Sequence, residues 1–203
     1  KQLSPVILFY DTETTGFLER SFGLSDIKQP RIVQLGAILD FPDGREAMRL
    51  DLTLAHKDLP ENVSKSWLKA ATIHGITPEI SQSIGVNETT AIEMFLDMIE
   101  VADTIVGHNI KGFDNDVVTG AARRVVSNEA FNPFAGKNIF DTMFAGKPLC
   151  RLPFKGQGYK NPNLTELHKF LFNGEAFEGA HTAISDVLAC RRCFYAMQNL
   201  VNA

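Results

Sequence analysis

Val6 to Gly16 reads VILFYDTETTG, and the fold turns on how this stretch is interpreted. Val6 to Tyr10 is an unbroken apolar run; its β-branched and aromatic content, with Gly16 to follow, fits a buried strand better than a helix. Asp11 and Glu13 sit where that strand should emerge. Residues two apart along a strand point to the same face, with Cα atoms roughly 7 Å apart at the usual rise. Two carboxylates aimed the same way at the end of a hydrophobic strand repel each other unless a cation lies between them. A hard divalent ion such as Mg2+, which takes oxygen ligands, meets that need. The bland alternative is a strand running into a polar turn with both acids solvated, and the segment alone leaves both readings open.

Outward from this strand, Phe17 to Pro30 reads as a long surface loop. Arg31 to Phe41 (RIVQLGAILDF) is a second strand, Pro42-Asp43-Gly44 a turn, and Arg45 to Leu54 a third strand. Three strands joined in this way form an antiparallel meander. The pattern then changes. Lys65 to Ala71 reads as a short helix ending near His74-Gly75, and Thr77-Pro78-Glu79 starts another turn or short helix. Asn87 to Ala102 is an amphipathic helix with Asn87 as its cap; Ile92, Phe95, Leu96 and Ile99 recur at helical spacing. Asp103 to Gly107 is a short strand of the buried parallel kind. Lys111 to Val126 reads as helix and Asn138 to Met143 as strand. Ala145 to Asn161 is a long stretch rich in Lys and Gly, Leu164 to Phe172 a helix capped by Asn163, and Thr182 to Leu200 the closing helix. Strands first, then alternating helix and strand, predict an α/β domain: a mixed central sheet, a three-strand antiparallel meander extended by parallel strands, flanked by helices.

The totals set outer bounds. A chain of 203 residues, 44% hydrophobic and 22% charged, suits one domain spanning 1–203 with a sizeable core. A formal net charge of -4 gives no global basic field, so binding a polyanion would rest on local patches or on metal ions. Three cysteines do not make a disulfide framework. The lone C-x-x-C of Cys190 and Cys193 lies in a helix, where packing is a better reading than zinc. A reducing, cytoplasmic setting follows from this cysteine usage. No run approaches membrane-spanning length. No secretory signal is visible in a sequence that starts at Lys1, which leaves room for a leader before it.

Chemistry collects at three places far apart in sequence. The first is Asp11 and Glu13. The second is VGHNIKGFD, Val106 to Asp114, where an acid follows a short strand into a helix; taken alone, Asp114 could equally be a partner of the helix dipole. The third is HTAISD, His181 to Asp186. Asp186 is flanked by Ile184, Val187, Leu188 and Ala189, and an acid in apolar surroundings needs a partner or a metal.

In combination these motifs are far more specific than singly. DTETTG, HNIKGFD and HTAISD, in that order, resemble the DEDDh branch of the DnaQ-like 3'–5' exonucleases, which have an RNase H-like fold. RIVQLGA and IHGIT (Ile73 to Thr77) support the match, and the similarity runs from Val6 to about Leu200. The resemblance implies metal-binding roles for Asp11, Glu13, Asp114 and Asp186, with two Mg2+ ions that Mn2+ can replace, and a general-base role for His181. Physical chemistry agrees with that division. Phosphodiester hydrolysis needs a nucleophile made from water and charge stabilised on both the attacking and leaving oxygens, which two ions about 3.5–4 Å apart provide. A histidine, titrating near pH 6.5 when unperturbed, can take the proton without being a ligand. The resemblance further implies that backbone at Thr14 meets the terminal 3'-hydroxyl and that Ile73 and His74 pack on the terminal nucleotide. Phe17 is placed to stack on the last bases or to anchor its loop. Asn109 could touch substrate or fix the strand-to-helix turn.

The expected activity is therefore 3'–5' hydrolysis of single-stranded DNA to 5'-mononucleotides, in a proofreading or repair-like role. The expected partners are single-stranded DNA or RNA 3' ends and a DNA polymerase. Alternatives are an RNA-trimming exoribonuclease, separable by how the pocket treats a 2'-hydroxyl, and a non-catalytic nucleic-acid-binding or polymerase-accessory module. A phosphatase using Asp11 as nucleophile is a third. Arg151, Lys155 and Lys160 are candidates for holding backbone phosphates.

Overall fold

Asp11 and Glu13 lie inside the first strand rather than beyond it. In the computed structural model, which describes residues 5–201, β1 runs Ile7–Thr14. The outermost residues of the expected 1–203 domain, Lys1 included, lie outside the described residues. The strand continues through the acids because its whole length pairs antiparallel with β2 (Ile32–Asp40), from Ile7 opposite Asp40 to Thr14 opposite Ile32. The Asp43-Gly44 turn leads into β3 (Glu46–Ala55), which completes the expected meander. Gly44 there has φ of 82°, a left-handed conformation that glycine adopts without steric cost.

On the other side of β1 lies β5 (Thr104–Gly107), parallel, and then β6 (Asn138–Asp141), also parallel. A two-residue strand, β4 (Val86–Asn87), adds to the far edge of β3 and is too short to leave a sequence signal. The sheet order is β4-β3-β2-β1-β5-β6. Pairing between β1 and β5 stops at Phe9 opposite Val106, so the half of β1 that carries the acids has one open edge.

Seven helices cover the sheet among the described residues. Helix α1 (Glu61–His74) is twice as long as the expected Lys65–Ala71: it starts after Pro60 and stops at Gly75, whose φ of 77° gives a left-handed cap. Helix α2 (Pro78–Ile84) has Pro78 at its first turn and Thr77 as cap. Helix α3 (Glu88–Val101) is capped by the Asn87 side chain, as expected. Helix α4 (Asp114–Val126) begins at Asp114, three residues later than Lys111. Helix α5 (Thr142–Cys150) occupies a region read as strand end and loop; Gly146 and Pro148 hid its periodicity, and the Asp141 side chain caps it. Helix α6 (Leu164–Leu171) has a full capping box of Asn163 and Glu166. Helix α7 is Ala183–Val201.

Strand alternation sorts β1 between two layers. Leu8 and Tyr10 face α3 and α4, with Ile92, Phe95, Val117 and Val118. Phe9 faces α7, with Val187, Cys190 and Phe194. The buried, unbridged Cys190 and Cys193 are packing residues of that helix. Asp11 and Glu13 share the parity of Phe9 and so face α7.

Gly36, opposite Asp11, makes this approach possible. A Cβ there would stand 2.7 Å from backbone atoms of Ala183 and Ile184, at the start of α7. Gly36→Ala should therefore push α7 off the sheet and destabilise the fold by about 1–3 kcal/mol, read as a lower denaturant midpoint with an unchanged m-value.

Candidate active site

Two elements deliver three acids to one place. One carboxylate oxygen from each of Asp11, Glu13 and Asp186 lies within 4.8 Å of the others. Asp11 and Glu13 come from β1, and Asp186 from the first turn of α7. The Asp186 carboxylate also accepts the His181 backbone N–H at 3.1 Å. That bond ties the histidine turn to the acidic cluster. His181 itself is exposed, with φ of 74°, between Gly179 and the helix start.

Asp114 is brought to this triplet by a different helix. It is buried at the start of α4, and its Oδ1 accepts from the Thr12 hydroxyl at 2.6 Å and the Thr12 backbone N–H at 3.2 Å. Thr12 has the opposite parity from Asp11 and Glu13. Asp114 thus lies at the open edge of β1 where β5 has ended, near enough for its charge to raise the pKa of Asp11 and of Glu13. Three of the four expected acids share one cluster of oxygens, and the fourth sits at the strand edge beside them.

Burial raises the titration of all four, and neighbouring carboxylate charge adds to it at Asp11, Glu13 and Asp114. Burial, then the nearby Asp114, Asp186 and Glu13 charges, holds the Asp11 carboxyl well above the ordinary carboxylate range. Burial and the Asp186 and Asp114 charges push Glu13 up to about 7. Burial pushes Asp114 up to about 6 despite the Thr12 hydrogen bonds, which favour its charged form. Burial also raises Asp186, opposed by its bond to the His181 N–H. A site that strains to ionise four carboxylates at neutral pH fits a divalent cation by the chemistry of its donors.

A stability consequence follows. Above the ordinary Glu value of 4.5 the unfolded chain releases a proton that folded Glu13 keeps until about pH 7. The folded state then binds more protons than the unfolded, so stability falls with rising pH across that window and levels off above it. In a chelating buffer the melting temperature should drop between pH 5 and pH 8, and Glu13→Gln should flatten that drop.

Beside the acids lies a cavity of about 510 Å³, lined by Glu13, Thr14, Gly16, Phe17, Phe113 and the length of α1 from Asn62 to His74. Thr14, Phe17, Ile73 and His74, all expected near substrate, meet here. Phe17 is 88% exposed and Ile73 61% exposed, so each offers an apolar surface to solvent. The Phe17 ring meets Phe113 edge-on at 6.3 Å. His74 is buried and works on the backbone. Its Nδ1 accepts the Ile76 N–H at 3.1 Å, which places the ring proton on Nε2, 3.2 Å from the Thr14 carbonyl it donates to. Burial lowers its pKa, so it is neutral at neutral pH.

Asn109 does not line this cavity. It lines a neighbouring one of about 820 Å³ with Lys111, Gly112 and Asp116, which shares Phe17 and Phe113 with the first. Its φ is 65°, and its N–H donates to Asp141 at 2.9 Å, as does that of Lys111 at 3.1 Å. Asn109 therefore shapes the turn that leads to Asp114. His108 is likewise structural, bridging Thr142 and the Pro162 carbonyl. Of the three loop cations, Lys160 is paired with Glu166 at 2.6 Å, and the Arg151 guanidinium donates to the Pro148 carbonyl.

Sequence reading missed Phe113, Asp141 and the α1 residues Asn62, Lys65, Ser66 and Lys69. The signal for the last four was present: with Ile73 they recur at three- and four-residue steps, the spacing of one helix face.

A mixed sheet in this order, with carboxylates gathered at the open-edged half of its central strand, is the RNase H-like class of fold. The exonuclease family model RNase_T matches residues 8–194, and the chain belongs to that DnaQ-like exonuclease family. Among solved structures it is similar to Escherichia coli Exonuclease I in complex with a dA16 oligonucleotide, with a TM-score of 0.70 and 23% identity over 96% of this chain and 41% of that one. The zinc-bound E. coli Exonuclease I–single-stranded DNA complex gives 0.70 and 20%, covering 98% and 41%. A moderately thermophilic Exonuclease I from Methylocaldum szegediense gives 0.69 and 21%, covering 96% and 40%. The chain thus spans about two fifths of the length of these structures. No curated protein sequence matches it significantly. Among the described residues, no helix is long and apolar enough to cross a membrane.

Proposed function

We propose that the chain is one exonuclease domain that removes 5'-mononucleotides from the 3' end of single-stranded DNA, using divalent ions, with Mg2+ as the natural choice and Mn2+ as a substitute. The observation that carries this reading is the gathering of Asp11, Glu13 and Asp186 within 4.8 Å, beside a cavity of nucleotide size. Asp11, Glu13 and Asp186 would hold one ion, and Asp11 with Asp114 a second. When bound, such ions stabilise charge on the attacking and leaving oxygens.

The chain's own residues do the rest. His181 takes the proton of the attacking water. His74 fixes the Thr14 carbonyl and so the backbone wall that meets the terminal sugar. Phe17, Phe113 and Ile73 give the terminal bases an apolar surface to stack on, which tolerates any base. The DNA preference draws support from the oligonucleotide complexes of the Exonuclease I structures. A proofreading or repair-like role, a polymerase partner and a cytoplasmic location are part of the same reading.

The test is product analysis on matched DNA and RNA oligomers, free or blocked at the 3' end, with Mg2+ or with chelator. A ladder shortening from the free 3' end of DNA, 5'-mononucleotide products and silence in chelator are expected. Equal digestion of blocked ends, or hydrolysis in chelator, would overturn the reading, and faster digestion of RNA would overturn the DNA preference.

A further inference from the structure

The start of α7 carries Asp186 and follows directly on His181, yet no residue of its own turn caps its first N–H. The Thr182 hydroxyl is turned instead to the Gly179 carbonyl at 3.1 Å and the Ser185 hydroxyl at 2.8 Å. The partner comes from the sheet. The Ala183 backbone N–H donates to Gln34 Oε1 at 3.1 Å, across 149 residues of sequence.

Gln34 is well placed for this. It lies on β2 directly opposite Glu13 and shares its face with Gly36, over which the α7 backbone passes. Its orientation is fixed from the other end: Nε2 donates to Asp51 Oδ1 at 3.1 Å, which leaves Oε1 toward the helix. Helix starts leave N–H groups that need an acceptor, and here the acceptor is anchored to the strand that pairs with the acids.

We propose that Gln34 is a positioning residue for His181, setting where the histidine turn sits relative to Asp11 and Glu13. The proposal rests on the reading of His181 as general base. The turn itself is weakly held: His181 is exposed and in a left-handed conformation, two residues after Gly179, whose φ of 75° is also left-handed. Its other hydrogen bonds run from the His181 N–H to Asp186, from the Thr182 N–H and hydroxyl to the Gly179 carbonyl, from the Thr182 hydroxyl to Ser185, and from the Asp186 N–H to the Thr182 carbonyl. All lie within the turn and α7, so they move with the helix; Gln34 ties the helix start to the sheet.

Gln34→Leu and Gln34→Met remove the acceptor and keep the bulk. With 3'-labelled single-stranded DNA and Mg2+, both should lower kcat about ten- to a hundredfold, the cost of displacing a catalytic group by an ångström or so. KM should stay near wild type. In a His181→Ala background the same changes should cost less than about threefold, because coupled residues are non-additive. Wild-type turnover in both single variants, or the full loss repeated in the His181→Ala background, would overturn the positioning role. An impaired His181→Ala protein beside unimpaired Gln34 variants would overturn this proposal alone. Wild-type turnover in His181→Ala would overturn the base assignment and this proposal with it.

Discussion

Asp11→Asn is expected to abolish hydrolysis, by about a thousandfold or more, while making the metal-free protein more stable. Both halves come from the same crowding. Asp11 feels the charge of all three other acids: Asp114, Asp186 and Glu13 each raise its pKa, after burial. In the proposed arrangement it is the carboxylate shared by both ions, so its removal takes a ligand from each. Losing one preorganised charge-stabilising group in an enclosed site typically costs about a hundred- to a thousandfold, and losing a shared one costs more. In chelating buffer, however, a neutral amide relieves repulsion that burial has amplified. The melting temperature of Asp11→Asn in chelator at pH 8 should exceed that of wild type, and the order should reverse when Mg2+ is added. Activity within tenfold of wild type would place the chemistry elsewhere.

The second large effect is at His181. His181→Ala should reduce turnover by about a hundredfold or more, the range that general-base catalysis contributes, with the divalent titration unchanged. The backbone must be separated from the ring in this test, because His181 sits at φ of 74°. Asparagine tolerates that left-handed conformation better than alanine. His181→Asn should therefore keep the turn and still lose the activity. Recovery in His181→Asn would show that the conformation, and not the imidazole, matters at this position.

The sequence and the structure agree where the chain is locally consistent. Asn87 and Asn163 cap the helices they are expected to cap, because capping involves only neighbours in sequence. The meander follows from three strand-like stretches in succession and the turn between the second and third. Helix α5 leaves little sequence signal because Gly146 and Pro148 contradict it locally, and it is held by packing against α6 and by the Asp141 cap. Helix α1 reads at half its length because its outer turns, Glu61 to Ser64 and Thr72 to His74, carry only one apolar residue each and so little periodicity.

The motifs named the acids, the histidine and the cavity residues Thr14, Phe17, Ile73 and His74, since each is carried by residue type and spacing. How those groups meet depended on contacts between distant segments. That Asp186 joins Asp11 and Glu13 follows from α7 crossing Gly36. That Asp114 reaches the edge of β1 beside Asp11 follows from β5 ending early and from Thr12 holding the carboxylate. That Gln34 caps a helix 149 residues away is invisible in one dimension. Sequence determined which groups are present because chemistry resides in side chains; only the tertiary structure decided which of them share a space, because pairing and packing act through distance in three dimensions.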